Sequence, residues 1–288
     1  MARRIISAGV AIPIGIFILA VDNKELVITA CAVVSVAAVY EILLATKYLQ
    51  NRVITALSLI FVFLAPFVLN YDFFNTRYVA FVFIIGLFLI MLFKYKEVKL
   101  AEVALVAFVS ICIPFSLASI GFFYNADPEH FGAYSAHRTF CVVYALTITW
   151  ISDAGAYFVG TLAGKHKMAP DISPKKTWEG FFGGMVTAAL FGVLLGKGYE
   201  LWEFLFTGAN TFKTDTMFLA GTALCCSLLG VLGDLSASLI KRECSVKDFG
   251  NIMPGHGGVL DRFDSVLFVV PFVYLVFLRY FPVTDKII

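Results

Sequence analysis

The segment VALVAFVSICIPFSLASIGFFY, residues 103–124, contains no charged side chain. A helix rises about 1.5 Å per residue, so about 20 mostly apolar residues cross the hydrocarbon core of a bilayer. Pro114 does not exclude a helix here, because kinks at proline are tolerated in membrane helix bundles. The segment therefore predicts a membrane-spanning helix, and similar segments recur along the chain.

Hydrophobic residues make up 60% and charged residues 15% of the 288 positions. Soluble proteins have about 45–50% apolar and about 25% charged residues, so the composition favours a membrane protein. We predict an all-α polytopic membrane protein with about nine transmembrane helices, separated by charged or turn-rich clusters. The predicted helices are Ile5 to Val21, Leu26 to Ala45, Val53 to Leu69, Tyr78 to Phe93, Val103 to Tyr124, Cys141 to Thr161, Gly180 to Gly196, Met217 to Leu235 and Ser265 to Phe281.

The placement of lysine and arginine predicts the orientation of these helices. Most of these residues lie in segments that face the cytoplasm if the N-terminus is inside, as the positive-inside rule requires. We predict a cytoplasmic N-terminus, a C-terminus on the opposite side, and exterior loops at 125–140 and 197–216. Residues 1–140 would form helices one to five with an exterior loop, and 141–288 the catalytic helices six to nine with cytoplasmic loops, in one membrane-embedded unit.

Net charge and cysteine spacing give no sign of nucleic-acid binding or of a C-x-x-C motif. A formal net charge of +2 does not indicate nucleic acid as a partner, because that inference needs basic residues clustered on one face. The six cysteines show no C-x-x-C spacing, so we interpret them as buried thiols.

The first polar segment, WISDAGAYFVGTLAGKHKMAPDISPKKTWEG, covers residues 150–180. Asp153 and Tyr157 share one helix face with Gly160. An aspartate inside a spanning helix is costly in hydrocarbon and should face a partner or a water-filled cavity, although a structural hydrogen bond would also satisfy it. We predict that Asp153 and Tyr157 bind substrate.

The end of this segment combines hydroxyl groups with positive charges. Such groups suit phosphate oxygens, and the turn leads into a glycine-rich helix start. A positive-inside anchor with Trp178 as an interfacial aromatic residue is the alternative. The predicted phosphate-binding residues are Ser173, Lys175, Lys176 and Thr177.

The second polar segment, LGDLSASLIKRECSVKDFGNIMPGHGGVLDRFD, covers residues 232–264. Asp234, Ser238, Lys241 and Arg242 fall on one helical stripe, which a solvated helix end would also explain. The polar pattern continues to Asp264, at the threshold of the last predicted helix.

These residue types suit a reaction on polyphosphate. Carboxylates are ligands for Mg²⁺, glycines let backbone N–H groups approach an anion, and cations offset phosphate charge. The predicted Mg²⁺ ligands are Asp234 and Asp261, the anion-binding glycines are Gly255, Gly257 and Gly258, and the charge-neutralising residues are Lys241, Arg242 and Lys247.

The run SLIKR-x4-KDFG-x3-PGHGGVLDRFD, residues 238–264, resembles the signature of the phosphatidate cytidylyltransferase family. With DAGAY and SPKKTWEG, the resemblance covers about residues 150–264. It implies that CTP and phosphatidic acid condense to CDP-diacylglycerol and pyrophosphate with Mg²⁺, in phospholipid biosynthesis. By similarity, Asp234 and Asp261 match the acidic metal-binding positions. The resemblance adds Lys241, His256 and Asp264 to the catalytic set, and Ser238 and Arg262 to the substrate-binding set.

Several alternatives stay open at this point. A CTP-dependent polyprenol or dolichol kinase would attack the γ-phosphorus instead, and an ion-coupled transporter would use Asp153 and Asp234 as ion sites. His256 would shape the loop or donate to phosphate as readily as act as a base, because a phosphate monoester is already largely ionised near neutral pH. We expect the bacterial inner membrane as the location, with the active site facing the cytoplasm. The oligomeric state stays open, with a homodimer among the expected forms.

Overall fold

The computed structural model of the protein describes residues 9, 13–47, 51–71, 75–125, 137–209, 211–253, 255 and 257–284. The chain divides into two compact units. The first unit comprises Met1–Phe122 and Lys241–Phe263, and the second comprises Phe123–Ile240 and Asp264–Ile288. The predicted division into residues 1–140 and the catalytic residues 141–288 stays a prediction.

Long helices dominate the described residues. The elements, in chain order, are α1 (Lys24–Ala45), α2 (Arg52–Asn70), α3 (Thr76–Phe93), α4 (Leu100–Phe122), α5 (Arg138–Ala163), β1 (Lys167–Ala169), β2 (Ser173–Thr177), α6 (Trp178–Thr207), α7 (Thr216–Glu243), α8 (Leu260–Phe263) and α9 (Val266–Thr284).

Eight helical segments within the described residues are long and apolar enough to cross a membrane, the last running from Leu260 to Tyr280. The chain is therefore an integral membrane protein, and the predicted all-α class is confirmed. Residues 13–20 are also helical, but most of the predicted first helix lies outside the described residues, so the count of nine stays a prediction.

Two helices are longer than predicted. Helix α6 continues to Thr207, through most of the predicted exterior loop, and α7 continues past Leu235 to Glu243. The sequence-based boundaries were wrong because charged residues were used to end each helix. Glutamate, lysine and arginine are good helix formers, so a helix can extend beyond the hydrocarbon region.

The first unit is a bundle in which α1, α2 and α4 pack against one another. Its core contains Ile28, Leu43, Ile54 and Leu117, all nearly inaccessible. Asn70 at the end of α2 donates a hydrogen bond to the Ala118 carbonyl oxygen of α4 at 3.1 Å. Interhelical hydrogen bonds of this kind help to hold membrane helices together.

The second unit is built around the contact between α5 and α6. Ser152 of α5 and Ser227 of α7 share a buried hydrogen bond of 2.6 Å, and the Tyr144 hydroxyl donates to the Leu219 carbonyl oxygen at 2.6 Å. These bonds fix α7 against α5, the two helices that carry Asp234 and Asp153.

Candidate functional site

An ion pair connects the two polar segments within the second unit. The Lys176 Nζ atom, at the end of β2, lies 2.6 Å from Asp234 Oδ2 on α7. The two side chains are 21% and 31% exposed, but the Lys176 Nζ atom itself is buried beneath them. Ser238, one turn along α7, points its hydroxyl at the other Asp234 oxygen at 3.4 Å, which is a weak hydrogen bond.

Asp153 belongs to the same group of charges. It lies on α5, is exposed, and interacts electrostatically with both Asp234 and Lys176. Lys176 attracts the Asp153 carboxylate and so meets the predicted need for a polar partner, whereas the like charge of Asp234 repels it. We call Asp153, Lys176 and Asp234 the lysine–aspartate cluster.

A short hairpin brings Lys176 to this cluster. Strands β1 and β2 pair antiparallel, with Lys167 opposite Thr177. The hairpin is closed at its base, where the Trp178 N–H donates to the His166 carbonyl oxygen at 3.0 Å and Glu179 lies 2.6 Å from His166 Nδ1. The sequence analysis treated this segment as a turn and missed the strands.

Glycines let α5 and α6 approach each other at the hairpin. A Cβ atom at Gly180 would lie 2.7 Å from the Ala156 carbonyl oxygen, and one at Gly184 would lie 2.8 Å from the Ser152 carbonyl oxygen. Backbone atoms cannot give way as a flexible side chain can. The small residues after Trp178 therefore place the hairpin next to α5, which carries Asp153.

The other predicted residues of the hairpin region have different surroundings. Lys175 and Tyr157 are exposed and Ser173 is half-buried. Thr177 is buried, and its hydroxyl caps α6 by accepting the Gly180 N–H at 3.2 Å. Its hydroxyl hydrogen remains available as a donor, so its predicted phosphate contact stays a prediction.

Asp264 begins the last stretch of the second unit and is buried. Its Oδ1 atom accepts the Ser265 N–H at 2.8 Å. A Cβ atom at Gly233 would lie 2.5 Å from the Asp264 carbonyl oxygen, so α7 and this stretch pack closely there. These contacts hold the chain at the start of α9; the catalytic role of Asp264 stays a prediction.

Within the first unit, Asp261 is held by three donors. Its Oδ1 atom lies 2.7 Å from Lys241 Nζ, and its Oδ2 atom accepts the N–H groups of Phe249 at 3.0 Å and Gly258 at 2.9 Å. The Lys241 and Asp261 side chains are only 13% and 5% exposed. The structure therefore gives this carboxylate a role in holding the loop that precedes it.

The glycine-rich turn in this loop is tight. Gly255 and Gly257 have φ angles of +83° and +88°, which side chains rarely adopt, and the Met253 N–H donates to the Gly257 carbonyl oxygen at 3.1 Å. The Gly258 N–H donates to Asp261 Oδ2 at 2.9 Å, and its predicted contact with a ligand anion stays a prediction. His256 lies outside the described residues.

Three further predicted cations lie in or beside this loop. Arg242, Lys247 and Arg262 are exposed in the first unit. Exposure leaves their side chains accessible to a charged ligand, and their predicted contacts with substrate stay predictions.

A buried glutamate on α1 is a further candidate site residue that was not predicted. Glu41 is 1% exposed and accepts the N–H groups of Val259 and Leu260, each at 2.9 Å. The signal was present, because a carboxylate inside a spanning helix marks a functional site by default. It was passed over because the first five predicted helices were treated only as apolar segments.

The second unit also contains a polar network that was not predicted. His137 is buried, with its ring nitrogens 3.0 Å from the Tyr199 hydroxyl and 3.2 Å from the Thr211 hydroxyl. Glu203 accepts the N–H groups of Thr211 and Phe212 at 3.1 and 2.9 Å. Burial lowers the pKa of His137, and the nearby Glu203 opposes this effect. The network ties Thr211 and Phe212 to Glu203 on α6.

The lysine–aspartate cluster fits a hard divalent cation. Mg²⁺ usually takes one or two carboxylates and completes its octahedron with water and phosphate oxygens. Asp234 and Asp153 are the two carboxylates of the cluster that would contribute to this donor set, and a bound cation would take the place of the Lys176 ammonium at Asp234 Oδ2. A group of three or more metal-binding side chains is absent from the part of the chain that the structure describes.

Together these features define an integral membrane protein whose polar side chains suit a phosphate-bearing substrate. The chain matches the cytidylyltransferase family over residues 2–281 and belongs to that family.

The chain is also similar to proteins from several bacteria. The chain is 46% identical over 133 residues to a phosphatidate cytidylyltransferase of Bacillus subtilis, covering 46% of this chain and 45% of that protein. It is 44% identical over 138 residues to the enzyme of that name from Staphylococcus aureus, covering 48% of this chain and 49% of that protein. With that from Haemophilus influenzae it shares 40% identity over 146 residues, 50% of this chain and 48% of that protein. The chain thus spans about half the length of the curated relatives it matches.

Proposed function

We propose that this protein transfers the cytidylyl group of CTP to phosphatidic acid, forming CDP-diacylglycerol and pyrophosphate. Membership of the cytidylyltransferase family and the activity named for its relatives support the proposal. The observation that carries it is the ion pair between Lys176 and Asp234, next to Asp153. Charges are costly among apolar helices, and a reaction on phosphate groups accounts for their presence.

In the proposed reaction, a phosphatidate oxygen attacks the α-phosphorus of CTP. A P–O bond forms there, and the bond between the α-phosphorus and the oxygen bridging to the β-phosphorus breaks as pyrophosphate leaves. The attacking phosphate is already largely ionised near neutral pH, so the reaction needs no general base. Positioning and charge neutralisation then supply most of the acceleration.

The residues of the lysine–aspartate cluster have distinct roles in this proposal. Lys176 supplies positive charge to phosphate oxygens, and Asp234 keeps the ammonium group in place before nucleotide binds. Asp234 and Asp153 would hold Mg²⁺, which when bound supplies further neutralisation of phosphate charge. The metal role of Asp261 also stays a prediction; in this structure Lys241 and two backbone N–H groups engage its oxygens.

We also propose that the protein lies in a bacterial inner membrane with this site open to the cytoplasm. The excess of lysine and arginine in the predicted cytoplasmic segments supports this orientation. A homodimer stays a prediction.

Purified protein in detergent, supplied with labelled CTP, phosphatidic acid and Mg²⁺, tests the proposal by product analysis. We expect CDP-diacylglycerol and pyrophosphate, whereas a CTP-dependent lipid kinase would release CDP. Turnover in detergent would also exclude a transporter, which needs a sealed membrane.

Asp234→Asn removes the charge that holds Lys176, so we expect kcat/KM to fall by about 100-fold or more, with an unchanged thermal midpoint. Ser236→Ala is the matched control, since Ser236 lies on the same helix, is exposed, and bonds only to its own helix at the Leu232 carbonyl oxygen. Full activity of Asp234→Asn would contradict the proposed role.

A further inference from the structure

We propose that Glu41 is a positioning residue for this reaction, because its carboxylate fixes the backbone that orients Asp261 and Lys241. The inference rests on the proposed function for its catalytic consequence. All of the residues involved belong to the first unit.

The contact is bidentate and buried. Glu41 Oε1 accepts the Val259 N–H and Oε2 accepts the Leu260 N–H, each at 2.9 Å. The two amides immediately precede Asp261 in the chain. Glu41 comes from α1, a membrane-spanning helix, so a rigid element of the bundle directly restrains the backbone next to a predicted catalytic residue.

A glutamate side chain matches the two backbone N–H donors at this position. A carboxylate presents an acceptor at each oxygen, whereas a glutamine side chain presents one acceptor oxygen and an NH₂ donor. Two converging N–H donors therefore select a carboxylate. The side chain is only 1% exposed, so the two N–H groups take the place of the water that would otherwise satisfy its oxygens.

Two glycines confirm how closely the loop surrounds the Glu41 carboxylate. A Cβ atom at Gly250 would lie 2.5 Å from Oε1, and one at Gly258 would lie 2.5 Å from Oε2. Gly250 is not among the glycines with positive φ, so its lack of a side chain reflects space rather than backbone conformation. The loop is shaped around Glu41.

Glu41 and Asp261 share the same stretch of backbone. Asp261 accepts the Phe249 and Gly258 amides, and Glu41 accepts the next two, those of Val259 and Leu260. Loosening either carboxylate would therefore disturb the other. Asp261 also binds Lys241 at 2.7 Å. Loss of the Glu41 carboxylate would therefore displace two residues of the predicted catalytic set, although Glu41 has no contact with substrate in this proposal.

Glu41→Gln tests this directly, with Glu102→Gln as the matched control. Glu102 is the same residue type, also buried in the first unit, in the first turn of α4. We expect amide hydrogen exchange of the 257–263 backbone to accelerate about 10-fold or more in Glu41→Gln, since one charged acceptor is lost. We expect kcat to fall by about 10-fold with KM for both substrates within about 2-fold, and Glu102→Gln to match the wild type in both measurements.

Gly250→Ala gives a second route that retains the carboxylate. The added methyl group would push on Glu41 Oε1, so we expect a similar loss of kcat and similar exchange. The double variant Glu41→Gln/Gly250→Ala should lose less than the product of the two single losses, because both changes act on one contact. Gly250→Ala alone decides the matter if Glu41→Gln accumulates poorly in the membrane.

The inference would be overturned if amide hydrogen exchange of residues 257–263 were unchanged in both Glu41→Gln and Gly250→Ala. It would also be overturned if exchange became faster while kcat stayed at the wild-type value, or if only KM changed. A wild-type protein that makes no CDP-diacylglycerol would refute the proposed function instead. The exchange comparison would then still show whether Glu41 holds the turn.

Discussion

At the residue scale, the two adjacent lysines of β2 have different surroundings. Lys176 is paired with Asp234, whereas Lys175 is exposed. We expect Lys176→Met to lower kcat/KM by about 10- to 100-fold, because it removes one charge-assisted contact and leaves Asp234 without its cation. Lys175→Met should cause a clearly smaller loss. Steady-state kinetics with CTP and phosphatidic acid measure kcat/KM for both variants. An equal loss in the two would contradict the assignment of Lys176, rather than Lys175, to the site.

Part of the candidate site could be predicted residue by residue. Asp153 and Asp234 stood out because a carboxylate inside an apolar helix needs a polar partner. That Lys176 is the partner could not be predicted, because the pairing depends on how a hairpin packs against α7. The same limit applies to Glu41, whose two partners lie more than 200 residues further along the chain.

At the element scale, the approach of α6 to α5 depends on glycines. We expect Gly184→Ala to lower the free energy of unfolding by about 1–3 kcal/mol, since its methyl group would lie 2.8 Å from the Ser152 carbonyl oxygen. Gly198→Ala is the control in the same helix, with no atom within 4 Å of the added Cβ, and it should be neutral or stabilising. Thermal unfolding in detergent compares the two, and equal midpoints would show that the close approach does not limit stability.

The elements themselves were predicted unevenly. The apolar cores of the eight spanning segments follow from hydropathy alone, because hydrocarbon admits few charged residues. The ends of these segments could not be predicted from hydropathy, since α6 and α7 continue through Glu203, Lys241 and Arg242. The β1–β2 hairpin could not be predicted from an alternation of apolar and polar residues, because its strands have only three and five residues. It depends instead on the His166–Glu179 contact and on the cap of α6.

At the scale of the whole molecule, the first unit is assembled from two separate stretches of chain. Residues Lys241–Phe263 join Met1–Phe122, and Glu41 contacts the second stretch directly. The resemblance that pointed to function covers only residues 150–264, so it could not reveal that the glycine-rich loop depends on α1. A family signature identifies the reactive segment, whereas the helix that holds this segment in place emerges only from tertiary contacts.

The orientation of the whole molecule can be tested at α7. Its 28 residues span about 42 Å at 1.5 Å per residue, which exceeds the hydrocarbon core of about 30 Å, so Lys213 and Lys247 should lie on opposite sides. The positive-inside rule assigns Lys247 to the cytoplasm. In a variant without the six native cysteines, a membrane-impermeant thiol reagent should label Lys213→Cys in intact spheroplasts. Lys247→Cys should react only after permeabilisation. The reverse pattern would invert the topology and place the lysine–aspartate cluster away from cytoplasmic CTP.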